Sequence, residues 1–74
     1  MIVKVIIRKH FGLSFPQYLN AIRLAEAGRL LKETDMMIAE IALRVGFNSI
    51  PHFNRVFKDN MKISPRDFRR INQI

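Results

Sequence analysis

Asn54 and Arg55 stand side by side, with Lys58 three residues further on, in the segment GFNSIPHFNRVFK that runs from Gly46 to Lys58. An amide and a guanidinium each present hydrogen-bonding groups in a plane, so they suit flat partners with matched groups along an edge. Asparagine fits the adenine edge, and arginine fits guanine or a phosphate. Lysine offers a compact point charge better suited to a phosphate backbone. On a helix advancing about 100° per residue, Pro51, Asn54, Arg55 and Lys58 share one side, and Phe53, Val56 and Phe57 share the other. Ser49 and Ile50 fall at the start of that helix and His52 on its flank. Taken singly, Asn54 and Arg55 read as ordinary surface residues, with Arg55 paired to an acid. The combination of glycine turn, polar face and basic charge outweighs that reading and predicts a helix aimed outward at a nucleic-acid duplex. Ile50 and Pro51 could touch only apolar groups there, such as a thymine methyl.

Other chemistries find little support. His10 and His52 are the only histidines, cysteine is absent, and the six acids are scattered with no paired or ligand-spaced cluster. No enzyme, cofactor or metal centre is therefore expected, and His52 reads as a polar residue on an outward face.

Charge points the same way. The net charge is +7, with sums of +4 over residues 1–23, −1 over 24–49 and +4 over 50–74. A solvated shell kept soluble by charge would spread it evenly, whereas basic ends suggest a polyanionic partner. The 74-residue chain, 49% apolar, is one small domain in which every core position counts, because no disulfide or thiolate-metal site can reinforce it. Lack of cysteine suits a reducing compartment. The N-terminal MIVKVII is apolar but short, is interrupted by Lys4 and is followed by no small-residue cleavage site. No stretch approaches the roughly 20 apolar residues of a membrane span, so the cytoplasm is the expected location.

Helical periodicity supplies the elements that position the polar face. From Ser14, a capping box with Gln17 and an early proline open a long helix over 15–33, with Tyr18, Leu19, Ile22, Ala25 and Leu30 read as its apolar stripe. Gly28 lies inside it, at a cost of about 1 kcal/mol relative to alanine, and suggests a close approach by a neighbouring helix. Ile38, Ile41, Ala42 and Val45 define a second helix that Gly46 ends. A third runs from 50 to about 60, and a fourth opens with Ser64 as N-cap, Pro65 in first place and Asp67 in third. No strand is needed, although IVKVII is rich in β-branched residues.

The segments IRKHFGLSFPQY (7–18) and FKDNMKISPRDF (57–68) repeat at an offset of fifty residues. Apolar residues pair at 7/57, 11/61 and 13/63, a base at 8/58, serine at 14/64 and an aromatic at 18/68. Each reads as a helix end, a link and a serine-capped helix start. The two-helix unit at 38–57 is then expected to have a twin whose first helix would lie ahead of residue 1.

The stretch IAEIALRVGFNSIPHFNRVFKDNMKISPRDFRR resembles the C-terminal signature of the AraC/XylS family of bacterial transcription regulators. RKHFGLSFPQYLNAIRLAEAGRLL resembles the linker helix ahead of it, so the likeness covers about Arg8 to Arg70. The spaced set I-x-x-I-A-x-x-x-G-F, H-F-x-R-x-F-K and S-P-x-x-F-R is highly specific. The resemblance implies an all-α fold: one complete helix-turn-helix with a homeodomain-like three-helix core, preceded by a long linker helix. Residues 1–12 would be the remnant of a first recognition helix, 13–35 the linker helix, and 36–74 the second helix-turn-helix with the C-terminal helix. Members carry two helix-turn-helix units whose recognition helices enter successive major-groove segments. Carried over, this sets Ser49, Ile50, Pro51 and Asn54 on the base-facing side, His52 and Arg55 near bases or phosphates, and Lys58 toward the backbone. Ile41, Ala42, Val45, Phe47, Phe53, Val56 and Phe57 would form the core.

Three departures stand out. Most of a first unit is absent, with Val5 where the family often has a polar or basic residue; Met37 replaces a small hydroxylated helix cap; and Lys62 replaces a usual glycine. The partners implied are double-stranded DNA, with RNA polymerase as a second candidate, and no membrane; a homodimer could form through the apolar N-terminal segment. The alternative is a truncated or interaction module that self-associates or binds DNA only non-specifically, because a single recognition helix contacts few bases.

Overall fold

The computed structural model describes residues 14–73. They form four helices, α1 (Phe15–Glu33), α2 (Ile38–Arg44), α3 (Ile50–Met61) and α4 (Pro65–Asn72), and no strand appears among the described residues. The segment read as a remnant recognition helix at 1–12, the apolar N-terminal stretch expected to pair two copies, and the first part of the internal repeat lie outside them.

Local chemistry places the helix starts where the sequence predicts. Ser14 Oγ accepts from the Gln17 amide at 3.3 Å and Gln17 Oε1 accepts from the Ser14 amide at 3.0 Å, completing the capping box of α1. Ser64 Oγ likewise accepts from the Asp67 amide at 3.2 Å, with Pro65 opening α4. Met37 caps α2 with no side-chain acceptor, as its chemistry requires. The Lys62 backbone closes α3 in the left-handed region at φ 71°, the conformation that favours glycine.

The far end of α1 is closed from outside. Its last carbonyls have no partners within the helix. Arg69 Nε and Nη2 on α4 donate to the Leu31 and Thr34 carbonyls, each at 3.1 Å. Gln73 Nε2 donates to the same two oxygens at 2.9 Å. A cation at a helix C-terminus also complements the helix dipole, so α4 is locked to α1 by charge and hydrogen bonding together.

The core is a single cluster: Leu24, Ala27, Leu30 and Leu31 from α1, Ile41 and Ala42 from α2, then Phe47, Phe53 and Phe57. Gly28 faces α4, where an added Cβ would meet Phe68 Cζ at 3.5 Å, so the expected close approach is present. Two core expectations are corrected. In α1 the buried residues are Leu24, Ala27, Gly28, Leu30 and Leu31; of the expected stripe Leu30 is buried and Tyr18 and Leu19 are half-buried, whereas Ala25 is exposed and Ile22 is 49% exposed. α1 carries apolar residues on more than one side, and periodicity alone cannot say which side meets α2 and α4. Val45 and Val56 sit half-buried at the edge of the cluster rather than inside it.

Two replacements test the local accounting. Lys62→Gly removes the left-handed penalty and raises stability by about 1 kcal/mol, read as a higher urea midpoint at unchanged slope. Met37→Ser supplies the missing cap acceptor of α2 and adds about 0.5 to 2 kcal/mol in the same assay.

Candidate nucleic-acid interface

The turn between α2 and α3 begins as a double-bonded helix stop. The Phe47 amide donates to the Ala42 carbonyl at 3.0 Å and the Gly46 amide to the Leu43 carbonyl at 3.2 Å, with Gly46 at φ 110°. This pattern turns the chain sharply and folds Phe47 back beneath α3, where it is buried. Arg23 of α1 braces the turn from behind: its Cζ stands 5.8 Å from the centre of the Phe47 ring. A side chain at 46 would be strained at φ 110°, and its Cβ would come within 2.9 Å of Arg23 Nε, so Arg23 would have to move aside.

α3 then starts at Ser49, whose Oγ accepts from the His52 amide at 3.3 Å. Phe53 and Phe57 are each 0% exposed. They belong to a run of inclined rings in which Phe47–Phe53, Phe53–Phe57 and Phe57–Phe68 centroids lie 5.3, 5.7 and 5.4 Å apart. With that side dry, the opposite side faces water: Pro51, Asn54, Arg55 and Lys58 are all exposed, as are Ser49 and His52. Ile50 differs, being half-buried with part of its side chain against the core. The structure thus brings six of the seven expected contact residues to the surface at one end and one side of α3, and seats the seventh at its margin.

The electrostatics favour the outward reading over a solvated salt-bridge face. Among the described residues Arg55 pairs with no acid; its Nη2 lies 3.1 Å from His52 Nδ1. Asn54 and Lys58 make no side-chain hydrogen bond or ion pair with the described residues. Several other cations are committed, although Lys32, Arg44, Lys62 and Arg66 are also exposed. Arg29 pairs with Glu26, which raises its pKa above the ordinary value through hydrogen bonding and charge, and it approaches Glu33 at 3.7 Å. Arg70 meets Asp67 at 3.2 Å, while Arg69 closes α1 and Arg23 supports the turn. Sequence reasoning assigned no role to Arg23, Arg69 or Gln73. Arg69 and Gln73 reach partners 35 to 42 residues away, a separation at which periodicity carries no signal. Among the described residues no group of three or more His, Asp or Glu side chains is placed to hold a metal ion.

A helix that reads a groove needs a dry back, a wet and uncommitted front, and a short rigid turn to hold it; α2, the turn and α3 meet those demands as a helix-turn-helix DNA-binding domain. The family described as "Helix-turn-helix domain" matches residues 3–71, and the chain belongs to it, in its AraC/XylS branch. That family binds DNA and is not an enzyme family. The chain is 41% identical over 64 residues to the HTH-type transcriptional activator RhaS of Salmonella arizonae, a match covering 86% of this chain and 23% of that protein. The C-terminal domain of AraT, a response regulator from Geobacillus stearothermophilus, superimposes with a TM-score of 0.91 at 37% identity, over 99% of this chain and 60% of that one. The C-terminal domain of the two-component response regulator yesN from Fusobacterium nucleatum gives 0.83 at 34%, over 92% and 66%. The chain therefore spans about a quarter of the length of the full-length activator it matches.

Gly46→Ala forces a side chain into the left-handed turn against Arg23 and is expected to cost about 1 to 3 kcal/mol in urea unfolding. Gly28→Ala, which meets Phe68 only at ordinary contact distance, serves as the tolerated comparison.

Proposed function

We propose that this chain is the base-reading portion of a bacterial transcription regulator, which recognises a specific duplex sequence by seating residues 50–59 of α3 in the major groove. Asn54 is the bidentate partner of an adenine, Arg55 contacts guanine or an adjacent phosphate, and Ser49, Pro51 and His52 line the approach, with Ile50 at its margin. Lys58 holds the phosphate backbone and adds affinity without sequence information. The observation that carries this reading is the opposition on α3: Phe53 and Phe57 fully buried on one side, with Pro51, Asn54, Arg55 and Lys58 exposed on the other.

α1, within the linker segment 13–35, sets the angle at which the unit at 36–74 is presented. The names of its relatives, transcriptional activators among them, support a place beside RNA polymerase in the whole regulator. A cytoplasmic location follows from a DNA partner in a bacterial cell. No helix among the described residues is long and apolar enough to cross a membrane. Family membership weighs against a pure interaction module.

The test is duplex binding as a function of salt and sequence. Affinity should fall with a logarithmic slope of about −0.9 per neutralised phosphate. Asn54→Ala should relax preference at one base pair, by about 1 to 3 kcal/mol, while Lys58→Ala weakens all duplexes alike and lowers the salt slope by about 1. Equal losses on specific and random duplexes for both variants would remove α3 as the reader.

A further inference from the structure

The side chain of Arg55 does not float free above α3. Its Nη2 lies 3.1 Å from Nδ1 of His52, one turn toward the helix start. A guanidinium carries only donors, so this contact requires an unprotonated Nδ1 that accepts the bond. The imidazole is itself supported. The His52 backbone amide donates to Ser49 Oγ at 3.3 Å, fixing the start of α3, and the ring leans on Phe47, with centroids 5.7 Å apart at an angle of 56°. Phe47 is buried, lies 5.3 Å from Phe53, and has Arg23 of α1 over its ring at 5.8 Å. A continuous set of contacts therefore runs from the linker helix through the turn to the arginine on the outer face: Arg23, Phe47, His52, Arg55.

Arginine has long, soft torsions, and ordering them on binding costs conformational entropy. A guanidinium already fixed in the free protein avoids much of that cost, and its direction is set before DNA arrives. We infer that His52 is a positioning residue for base recognition: it does not read a base itself, but aims Arg55 through Nδ1 while Phe47 and Arg23 hold the imidazole in place. This rests on Arg55 being a reader, as proposed above.

The experiment uses the full chain, its preferred duplex selected from a randomised pool, and that duplex changed one base pair at a time. Arg55→Ala should lose about tenfold in discrimination at its base pair. His52→Ala should lose discrimination at that same base pair, and His52→Ala with Arg55→Ala should be no worse than Arg55→Ala alone. Loss at a different base pair would make His52 a reader in its own right and overturn the positioning role, as would full retention of discrimination. A second measurement needs no DNA: nitrogen NMR of the Arg55 guanidinium should show hindered rotation in wild type and free rotation in His52→Ala. Free rotation in wild type overturns the positioning by His52. Hindered rotation combined with an Arg55→Ala variant of unchanged base preference instead overturns Arg55 as a reader.

Discussion

Phe53 and Phe57 occupy adjacent turns on one side of a twelve-residue helix, and both are stripped of water completely. Burying a phenylalanine contributes about 1.5 to 3 kcal/mol, a large share of what a domain this small can gain in total. α3 therefore cannot rotate about its axis without exposing one ring. Everything useful on the opposite face follows from that constraint, because the direction of Asn54, Arg55 and Lys58 is fixed by what lies behind them. The inclined stack from Phe47 to Phe68 extends the same restraint from the turn to α4.

A second lock fixes α1 to the unit it carries. The orphan carbonyls at the end of α1 are satisfied by Arg69 and Gln73 from α4, and Gly28 lets Phe68 approach the helix closely. At the other side of the domain Arg23 presses on the glycine turn. α1 is thus gripped by α4 and itself supports the turn, so α3 is held at a fixed angle to it. Some basic residues are spent on internal structure or local ion pairs, while Arg55 and Lys58 stand exposed on the outer face of α3.

The elements were largely legible in the chain because their signals are local. Ser14 with Gln17, Ser64 with Pro65, and Gly46 each act within a few residues of themselves, and each stands where the chemistry requires. The polar face of α3 was legible for the same reason, since twelve residues of one helix decide it. The buried side of α1 was not. Tyr18, Leu19, Ile22, Ala25 and Leu30 make a plausible stripe in isolation, yet of these the helix fully buries only Leu30 and adds Leu24, Ala27 and Leu31, a choice that depends on where Phe68 and the turn sit. Ile50 shows the same limit in miniature: its place at the start of α3 was clear, but not that the core would claim part of it.

By itself, then, the sequence determined where helices start and stop, that one of them carries a polar basic face backed by phenylalanines, and that an unstapled 74-residue chain must pack all of them into one core. These are consequences of capping chemistry and helical spacing, which act over a few residues. Tertiary structure alone decided which side of α1 is buried, that Arg69 and Gln73 close it, and that Arg23 and Phe47 stand behind His52 and Arg55. Each of those is a contact between groups far apart in sequence, settled only when the whole core closes and leaves each side chain the space that remains.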